Sequence, residues 1–173
     1  MEIFEDIKRN LTRGVKDRKH NFHTPVFSNV NGDGEINSRI VVLRKFDPLK
    51  MILNFHTDFR SPKAINLKQN NNSLFVFYDH KLKIQLRIKT KSILNNQNEI
   101  AKKMWDKTRL FSRKCYLTTK DPSSFTALPE DGIPNSTPAN SAVSQHPPLL
   151  AWSRVSVGPV MMLPLPESSE GAR

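Results

Sequence analysis

Short segments of β-forming residues follow one another along the first half of the chain, and turns separate them instead of long helices. The clearest turn is Asn31-Gly32-Asp33-Gly34, a hairpin signal because Asn and Gly tolerate positive φ. Parallel strands need long crossover connections, which this part of the sequence lacks. The pattern therefore predicts an antiparallel β-barrel. Its strands are expected at residues 25–30, 35–46, 51–57, 73–78 and 82–94.

Helical spacing of apolar residues predicts helices that pack outside this barrel. Ile3, Ile7 and Leu11 recur on one side of residues 2–18, which we expect to cover one mouth of the barrel. The other predicted helices are residues 61–70 and residues 96–110, the latter with Ile100, Met104 and Trp105 on one side.

Composition limits the class of protein. A chain of 173 residues fits one domain, and no apolar run approaches the ~18 residues of a membrane span. The first residues, MEIFEDIKRNL, are acidic and amphipathic, unlike a signal peptide, so we expect a cytoplasmic protein. Cys115 is the single cysteine, so no disulfide can form within the chain. No metal site is predicted, because metal-binding spacing is missing among His20, His23, His56, His80 and His146.

The net charge of +11 raises the question of nucleic-acid binding, since basic surfaces attract phosphate backbones. The lysines and arginines are spread along the chain and accompany no recognised nucleic-acid motif. Solvated faces explain most of them, and some can draw anionic ligands into a pocket. Binding of nucleic acid is therefore not the favoured interpretation, but it stays open as an alternative.

The composition changes after Thr119. Residues 121–148 are rich in Pro and Ser, which is typical of a loop or linker. We therefore divide the chain into a barrel domain of residues 1–120, a linker of residues 121–148, and a C-terminal segment of residues 149–173. Within that segment, Trp152–Val157 is a candidate closing strand of the same domain. Three prolines are expected to oppose a central strand there: Pro159, Pro164 and Pro166.

Three stretches carry polar residues at the ends of predicted elements: SRIVVLR (Ser38–Arg44), NFHTDFRSPKAINL (Asn54–Leu67) and KIQLRIK (Lys83–Lys89). The first is typical of a strand buried on both faces, with arginines at a rim. In the second, a strand ends and a helix begins at Ser61-Pro62-Lys63. The N-cap oxygen, the N1 proline and the first-turn lysine of this helix favour an anion. The third alternates apolar and polar residues, and Gln85 can donate and accept at the edge of a heterocycle. Together they outline a phosphate pocket.

The order of these stretches resembles the pyridoxamine 5'-phosphate oxidase-like family of FMN-binding split barrels, from about Phe4 to about Tyr116. Arg39 to Arg44 look like the family's R-x-V-L-L-K strand, and His56 to Lys63 look like its strand-to-helix turn. The resemblance implies a mainly β fold with peripheral helices, an antiparallel FMN-binding split β-barrel, with FMN as cofactor. It also implies a homodimer with FMN at the interface. The implied cofactor-binding residues are Arg39, Ile40, Val41, Val42, Leu43, Arg44, His56, Thr57, Ser61, Lys63 and Gln85.

The sequence departs from the family pattern at two places. Pro62 replaces an arginine that usually grips the FMN phosphate, and Arg60 or Arg44 are candidates to compensate. In the family's substrate stretch, Tyr-x-x-x-Arg-x-x-x-Ser, Arg113 stands at the serine position, so we expect poor or absent oxidation of pyridoxamine 5'-phosphate. The implied substrate-binding residues are Arg44, Trp105 and Arg109. Several aromatic residues are candidates either for core positions or for interface and ring contacts: Phe55, Phe59, Phe75, Phe77 and Trp105.

The leading functional hypothesis is an FMN-dependent oxidoreductase acting on a small molecule that the sequence does not identify. The flavin itself carries redox chemistry, so the sequence assigns no catalytic acid or base. Two alternatives stay open: a flavin-binding protein without turnover, and a basic nucleic-acid-binding barrel.

Overall fold

The computed structural model describes residues 2–109, 112, 113, 116, 118–127 and 150–164. The helices in this part of the chain are α1 (Glu2–Lys16), a 3-10 helix (Asn21–His23), α2 (Pro62–Gln69) and α3 (Glu99–Asp106). The strands are β1 (Val26–Val30), β2 (Ile36–Ile40), β3 (Leu43–Asp47), β4 (Ile52–Asp58), β5 (Asn72–Asp79), β6 (Ile84–Asn95) and β7 (Leu150–Pro164). Residues 128–148 of the predicted linker and residues 165–173 lie outside the described part.

The strands form one antiparallel sheet in the order β2-β1-β5-β6-β7-β4-β3. The predicted hairpin at residues 31–34 joins β1 to β2. In it, Asn31 Oδ1 accepts the Asp33 and Glu35 N–H groups at 3.0 and 2.8 Å, and Gly34 has a φ of 85°. This Asx-type turn is the local reason why β1 and β2 fold back on each other.

The two edges of the sheet, β2 and β3, are joined by Val41 and Val42 alone. Because consecutive Cα atoms are about 3.8 Å apart, Ile40 and Leu43 can be no more than about 11 Å apart. The sheet must therefore curl until its edges nearly meet, and the chain crosses the gap without completing the ladder of hydrogen bonds. This is the open seam of a split barrel, with Val41 N donating to Pro25 O at 3.0 Å beside it.

The crossing at Val41 and Val42 corrects one sequence-based expectation. The prediction of a single strand over residues 35–46, buried on both faces, is wrong. Ile40 is 69% exposed at the end of β2, whereas Val41 and Leu43 are buried. A segment that leaves one edge and joins the other cannot keep a continuous ladder, although its β-branched residues keep it extended.

Aromatic rings fill the barrel interior. Phe27, Phe55 and Phe75 are fully buried, and the centroid of the Phe27 ring lies 4.8 Å from that of Phe55 and 5.1 Å from that of Phe75. Phe77 stacks beyond Phe75 at 6.0 Å. Of the two interpretations open for Phe55, Phe75 and Phe77, the core is the one that the structure supports.

Helix α1 closes one side of this core with Ile7 and Leu11, and it ends two residues earlier than predicted. Its last turn touches the 3-10 helix: His23 Nδ1 lies 2.6 Å from the Gly14 carbonyl oxygen. A Cβ at Gly14 would lie 2.7 Å from the Phe22 carbonyl oxygen, so only glycine allows this close approach.

Strand β7 lies between β6 and β4, although three prolines were expected to oppose a central strand there. Pro159 falls where the pairing with β6 is irregular, between Val157 and Val160, and beyond Ser156, the last partner of β4 in that direction. A proline lacks the N–H that a regular ladder would use, so an interrupted ladder tolerates it. Pro164 is the last residue of the strand. The expectation about Pro159 is therefore wrong.

None of the described helices combines the length and the apolar composition needed to cross a membrane.

Candidate functional site

A cavity of about 520 Å³ lies at the seam of the barrel, which we call the seam cavity. Its volume is within the roughly 300–1,000 Å³ of small-molecule sites. Most of the predicted cofactor-binding residues line it: Arg39, Ile40, Val41, Val42, Arg44, His56, Thr57 and Lys63. The sequence-based prediction therefore gathered residues from β2, β3, β4 and α2 that the fold does bring together.

The turn from β4 into α2 positions Lys63. Ser61 occupies the N-cap and Pro62 the first helical turn, as predicted, but the Ser61 side chain makes no capping hydrogen bond. Its Oγ donates to Asp58 O at 2.6 Å, and Lys63 Nζ donates to the same Oγ at 3.1 Å. Ser61 is buried and does not line the seam cavity, so in this conformation it holds Lys63 instead of reaching the cavity.

Lys63 is a half-buried amine with Arg39 and Asp58 nearby. Burial, and then the nearby charge of Arg39, lower the pKa of Lys63 from 10.5 to about 8, against an opposing effect of Asp58. Both causes disfavour the charged ammonium, and the attraction of an anion in the cavity would offset them. The cavity is thus arranged to gain from binding a negative group.

Arg39 is held by a buried amide. Its Nη1 donates to Asn29 Oδ1 and, at 3.1 Å, to Asn37 O. Asn29 is only 2% exposed, so the guanidinium is anchored to the interior of the sheet. Sequence reasoning missed Asn29, because an asparagine in a strand carries no signal of its partner across the hairpin.

Arg44 and His56 form a wall between the seam cavity and a second cavity, since both residues line both spaces. Arg44 Nε is buried and has no hydrogen-bond acceptor among the described residues. Burial, and then the charge of Arg44, lower the pKa of His56 from 6.5 to about 3. His56 is therefore neutral at physiological pH, and Arg44 is the cation of this wall.

Arg60 is committed elsewhere. Its Nη2 lies 2.8 Å from Asp58 Oδ2 and donates to Thr118 O at 3.0 Å, and its Nε lies 3.2 Å from Asp121 Oδ1. Arg60 and Arg44 were the two candidates to compensate for the phosphate-binding arginine that Pro62 replaces. Arg60 instead connects the chain near residue 120 to the β4–α2 turn, so Arg44 remains the candidate for this role.

The segment tied down by Arg60 forms a further wall of the seam cavity. Sequence reasoning missed these residues, because most of them lie in a stretch with linker composition and all are far along the chain from the β4–α2 turn. The wall residues are Tyr116, Thr118, Lys120, Asp121, Pro122, Ser123, Ser124 and Thr126.

The second cavity, of about 410 Å³, lies between the ends of α1 and α3 and the start of β3, and we call it the basic cavity. The predicted substrate-binding residues Arg44 and Arg109 line it, but Trp105 does not. Trp105 is 1% exposed and lies in the core, with the Arg113 guanidinium 4.9 Å from its ring centroid. The predicted contact of Trp105 with a substrate therefore finds no support in this arrangement.

Two other residues, both predicted to bind the cofactor, are placed differently from the expectation. Leu43 is fully buried in the core and reaches the basic cavity, not the seam cavity. Gln85 is half-buried on β6 and lines neither cavity. Arg113, which stands at the family's serine position, donates to the Trp105, Asp106 and Thr108 carbonyl oxygens at the end of α3. It is thus used to cap a helix.

Among the described residues, no group of three or more His, Cys, Asp or Glu side chains is placed to hold a metal ion.

The fold is that of a split-barrel protein, and the cavity at its seam is lined by Arg39, Arg44 and Lys63. The family model described as pyridoxamine 5'-phosphate oxidase, FMN-binding domain, matches residues 5–95. The chain therefore belongs to this family, and its cofactor is FMN. The resemblance, fold class and cofactor predicted from the sequence are confirmed.

Solved structures of low sequence identity share the fold. An FMN-binding protein related to pyridoxamine 5'-phosphate oxidase from Nostoc punctiforme PCC 73102 has a TM-score of 0.74 and 18% identity, over 92% of this chain and 83% of that one. PhzG from Burkholderia lata 383, solved with tetrahydrophenazine-1-carboxylic acid, has a TM-score of 0.67 and 15% identity, over 91% and 77%. A Clostridium acetobutylicum protein related to general stress protein 26 has a TM-score of 0.63 and 13% identity, over 95% and 90%. No curated protein matches the chain.

The residues of the seam cavity fit FMN. Arg39, Lys63 and Arg44 supply donors for a phosphate, and the buried Arg44 Nε has no acceptor of its own among the described residues. Ile40 to Val42 supply an apolar stretch that suits a flat ring.

The lowered pKa of His56 predicts loss of stability in acid. Its pKa is 6.5 when unfolded and about 3 when folded, so the unfolded state binds more protons between these values. The contribution is complete above pH 6.5 and is lost as the pH falls, by up to about 1.4 kcal/mol per pH unit. We expect His56→Gln to flatten the dependence of the free energy of unfolding on pH between 6.5 and about 4, measured with urea. The control is His80→Gln, at an exposed turn, which should keep the native dependence of the free energy of unfolding on pH. Equal dependence in the native protein and in both variants would contradict the assignment of this effect to His56.

Proposed function

We propose that the protein is an FMN-dependent oxidoreductase that acts on a small molecule bound in the basic cavity. The observation that carries this proposal is the wall that Arg44 and His56 share between the two cavities. A carrier of flavin needs one cavity, whereas an oxidoreductase needs a second binding space beside its cofactor. A cytoplasmic location is part of the proposal, and the single cysteine suits a reducing compartment.

In this proposal, the chain's own residues bind and orient. Arg39 and Lys63 hold the phosphate of FMN, with Asn29 fixing Arg39 and Ser61 fixing Lys63. Arg44 holds an anionic group at the boundary of the two cavities, and Arg109 orients the substrate. FMN supplies the redox chemistry when bound. Because His56 is neutral, it adds no second positive charge beside Arg44.

The test is turnover by the purified protein carrying FMN. The absorbance spectrum of the protein identifies the bound flavin. Reduced nicotinamides and pyridoxamine 5'-phosphate with oxygen are the first compounds to assay. We expect reaction with at least one reduced nicotinamide and poor or absent formation of pyridoxal 5'-phosphate, because Arg113 is bound to helix carbonyls and supplies no serine hydroxyl. A protein that holds FMN but reacts with reduced nicotinamides and with pyridoxamine 5'-phosphate no faster than free FMN does would be a flavin-binding protein without turnover.

We further propose that the molecule is a homodimer formed through the outer face of β2, β1 and β5. On this face Val26 pairs with Ile40 on one side and with Val76 on the other, and paired residues point to the same face. Ile36, 75% exposed, and Tyr78 extend the apolar surface. Exposed apolar patches of this kind mark association surfaces. Because Ile40 also lines the seam cavity, a partner on this face would lie against the cofactor.

This proposal predicts that FMN binding and dimerisation are linked. A ligand held by the assembled form stabilises it by mass action, so FMN should raise the melting temperature and reduce any monomer fraction. Ile36→Asp should increase the monomer fraction and weaken FMN binding, although Ile36 does not line the seam cavity. Light scattering and FMN titration measure both effects, and Leu49→Asp, at a 94% exposed turn, is the control. A monomer with full FMN occupancy would contradict the linkage.

A further inference from the structure

The basic cavity contains an unusual concentration of positive charge. Among the described residues that line it there is no Asp or Glu. The salt bridges found in the described part of the chain involve Lys8, Arg9 and Arg60, and none of the cations of this cavity. The cations that line it are Lys16, Arg18, Arg44, Lys45, Lys107 and Arg109.

Helix ends explain part of this cluster. Lys16 is the last residue of α1 and Lys107 is the C-cap of α3, where positive charge complements the helix dipole. Arg18 follows α1, and Arg44 and Lys45 belong to β3, so the dipole does not account for them. The tertiary structure thus brings like charges together from three elements, which costs free energy unless an anion is present.

The lining residues of the cavity differ in exposure. Leu43 and His23 are buried, while Lys16, Arg18, Lys45, Lys107 and Arg109 are exposed. Cations at the exposed positions suit a small molecule whose anionic groups point outward. One phosphate would engage only a few of these cations, and the remainder would still repel one another.

We propose that the basic cavity binds small molecules that carry two or more anionic groups, phosphates or carboxylates. This inference rests on the proposed function in one respect: it makes such molecules the substrate class of the flavin. The binding itself follows from the charges, and it can be measured without turnover.

The experiment is isothermal titration calorimetry of the FMN-saturated protein at low ionic strength, with tripolyphosphate, citrate and inorganic phosphate as probes. We expect tripolyphosphate or citrate to bind at least about tenfold more tightly than inorganic phosphate, with affinity falling as salt is added. The double variant Arg18→Gln/Lys107→Gln should lose about 5- to 30-fold in this affinity, as expected for two partly exposed charge contacts. The matched control, Lys19→Gln/Lys103→Gln, removes the same net charge from exposed positions outside the cavity and should change the affinity less than about twofold.

Several results would overturn the inference. These are equal affinity for phosphate and for both polyanions, equal weakening in the two double variants, and release of FMN by tripolyphosphate. Tighter binding of a short oligonucleotide, lost in the same variant, would also overturn it in favour of a polymer. Citrate carries less negative charge than tripolyphosphate, so tighter binding of citrate would support the proposal and identify carboxylates as the preferred groups. Tighter binding of tripolyphosphate would support the proposal through charge. Flavin absorbance, read in the same samples, reports on FMN separately, and the titration of flavin-free protein keeps the two proposals distinguishable.

Discussion

Replacing Lys63 with alanine is expected to weaken FMN binding by roughly 10- to 150-fold and to leave riboflavin binding unchanged. A charge-assisted hydrogen bond to a phosphate contributes about 1.5–3 kcal/mol, and riboflavin has no phosphate to make it. The native protein should correspondingly prefer FMN to riboflavin by orders of magnitude. Fluorescence titration of the flavin-free protein measures both affinities.

The matched control is Lys68→Ala on the same helix. Lys68 is exposed, and its Nζ lies 4.0 Å from the centroid of the Phe59 ring, outside the residues that line the seam cavity. It should bind FMN like the native protein. Equal loss of affinity for FMN and riboflavin in Lys63→Ala would place the phosphate elsewhere.

The lowered pKa of Lys63 adds a pH signature to this prediction. Without FMN, Lys63 loses its proton above pH about 8, and a bound phosphate raises its pKa again. Binding therefore takes up a proton above pH 8, and FMN affinity should fall by up to about tenfold per pH unit between pH 8 and 10. Lys63→Ala should lack this decrease, and its persistence in that variant would assign the titration to another group.

Replacing Phe75 with alanine is expected to cost about 3–5 kcal/mol of the free energy of unfolding. Phe75 is fully buried on β5, and its ring contacts those of Phe27, Phe55 and Phe77. Its removal leaves a cavity in the middle of the barrel and also removes aromatic pairs worth about 0.5–1.5 kcal/mol each. Urea denaturation of the flavin-free protein measures the change.

The control for this change is Phe125→Ala, which deletes the same side chain at a fully exposed position and should stay within about 0.5 kcal/mol of the native value. Phe75→Leu, which keeps most of the volume, should lose less than the alanine variant and keeps the test informative if that variant does not fold. Similar losses for Phe75→Ala and Phe125→Ala would mean that the aromatic cluster is not the core.

Local signals in the sequence were sufficient to predict several of the individual secondary-structure elements. Asn31 and Gly34 specify a hairpin because their side chains and backbone angles act within a few residues. The Ser61-Pro62 pair begins a helix for the same reason. The alternation in β6, with Leu86 and Ile88 buried and Arg87 exposed, reflects the two-residue period of a strand. The family motif, with Arg39 and Lys63 in it, could be read from the chain because its residues keep a fixed order and spacing.

The tertiary structure decided what depends on contacts between distant parts of the chain. The split of residues 35–46 into β2 and β3 follows from the curl of the whole sheet, and Ile40 and Val41 carry no local sign of it. The pairing of Arg60 with Asp121 brings a linker-like segment to the cavity wall. The sequence by itself thus determined the hairpin, the start of α2, the fold family and the cofactor, because these depend on residues close in the chain or on a motif of fixed order. The wall of Arg44 and His56 and the basic cavity beside it arise only when α1, β3, β4 and α3 meet, because charges and burial depend on distance in space.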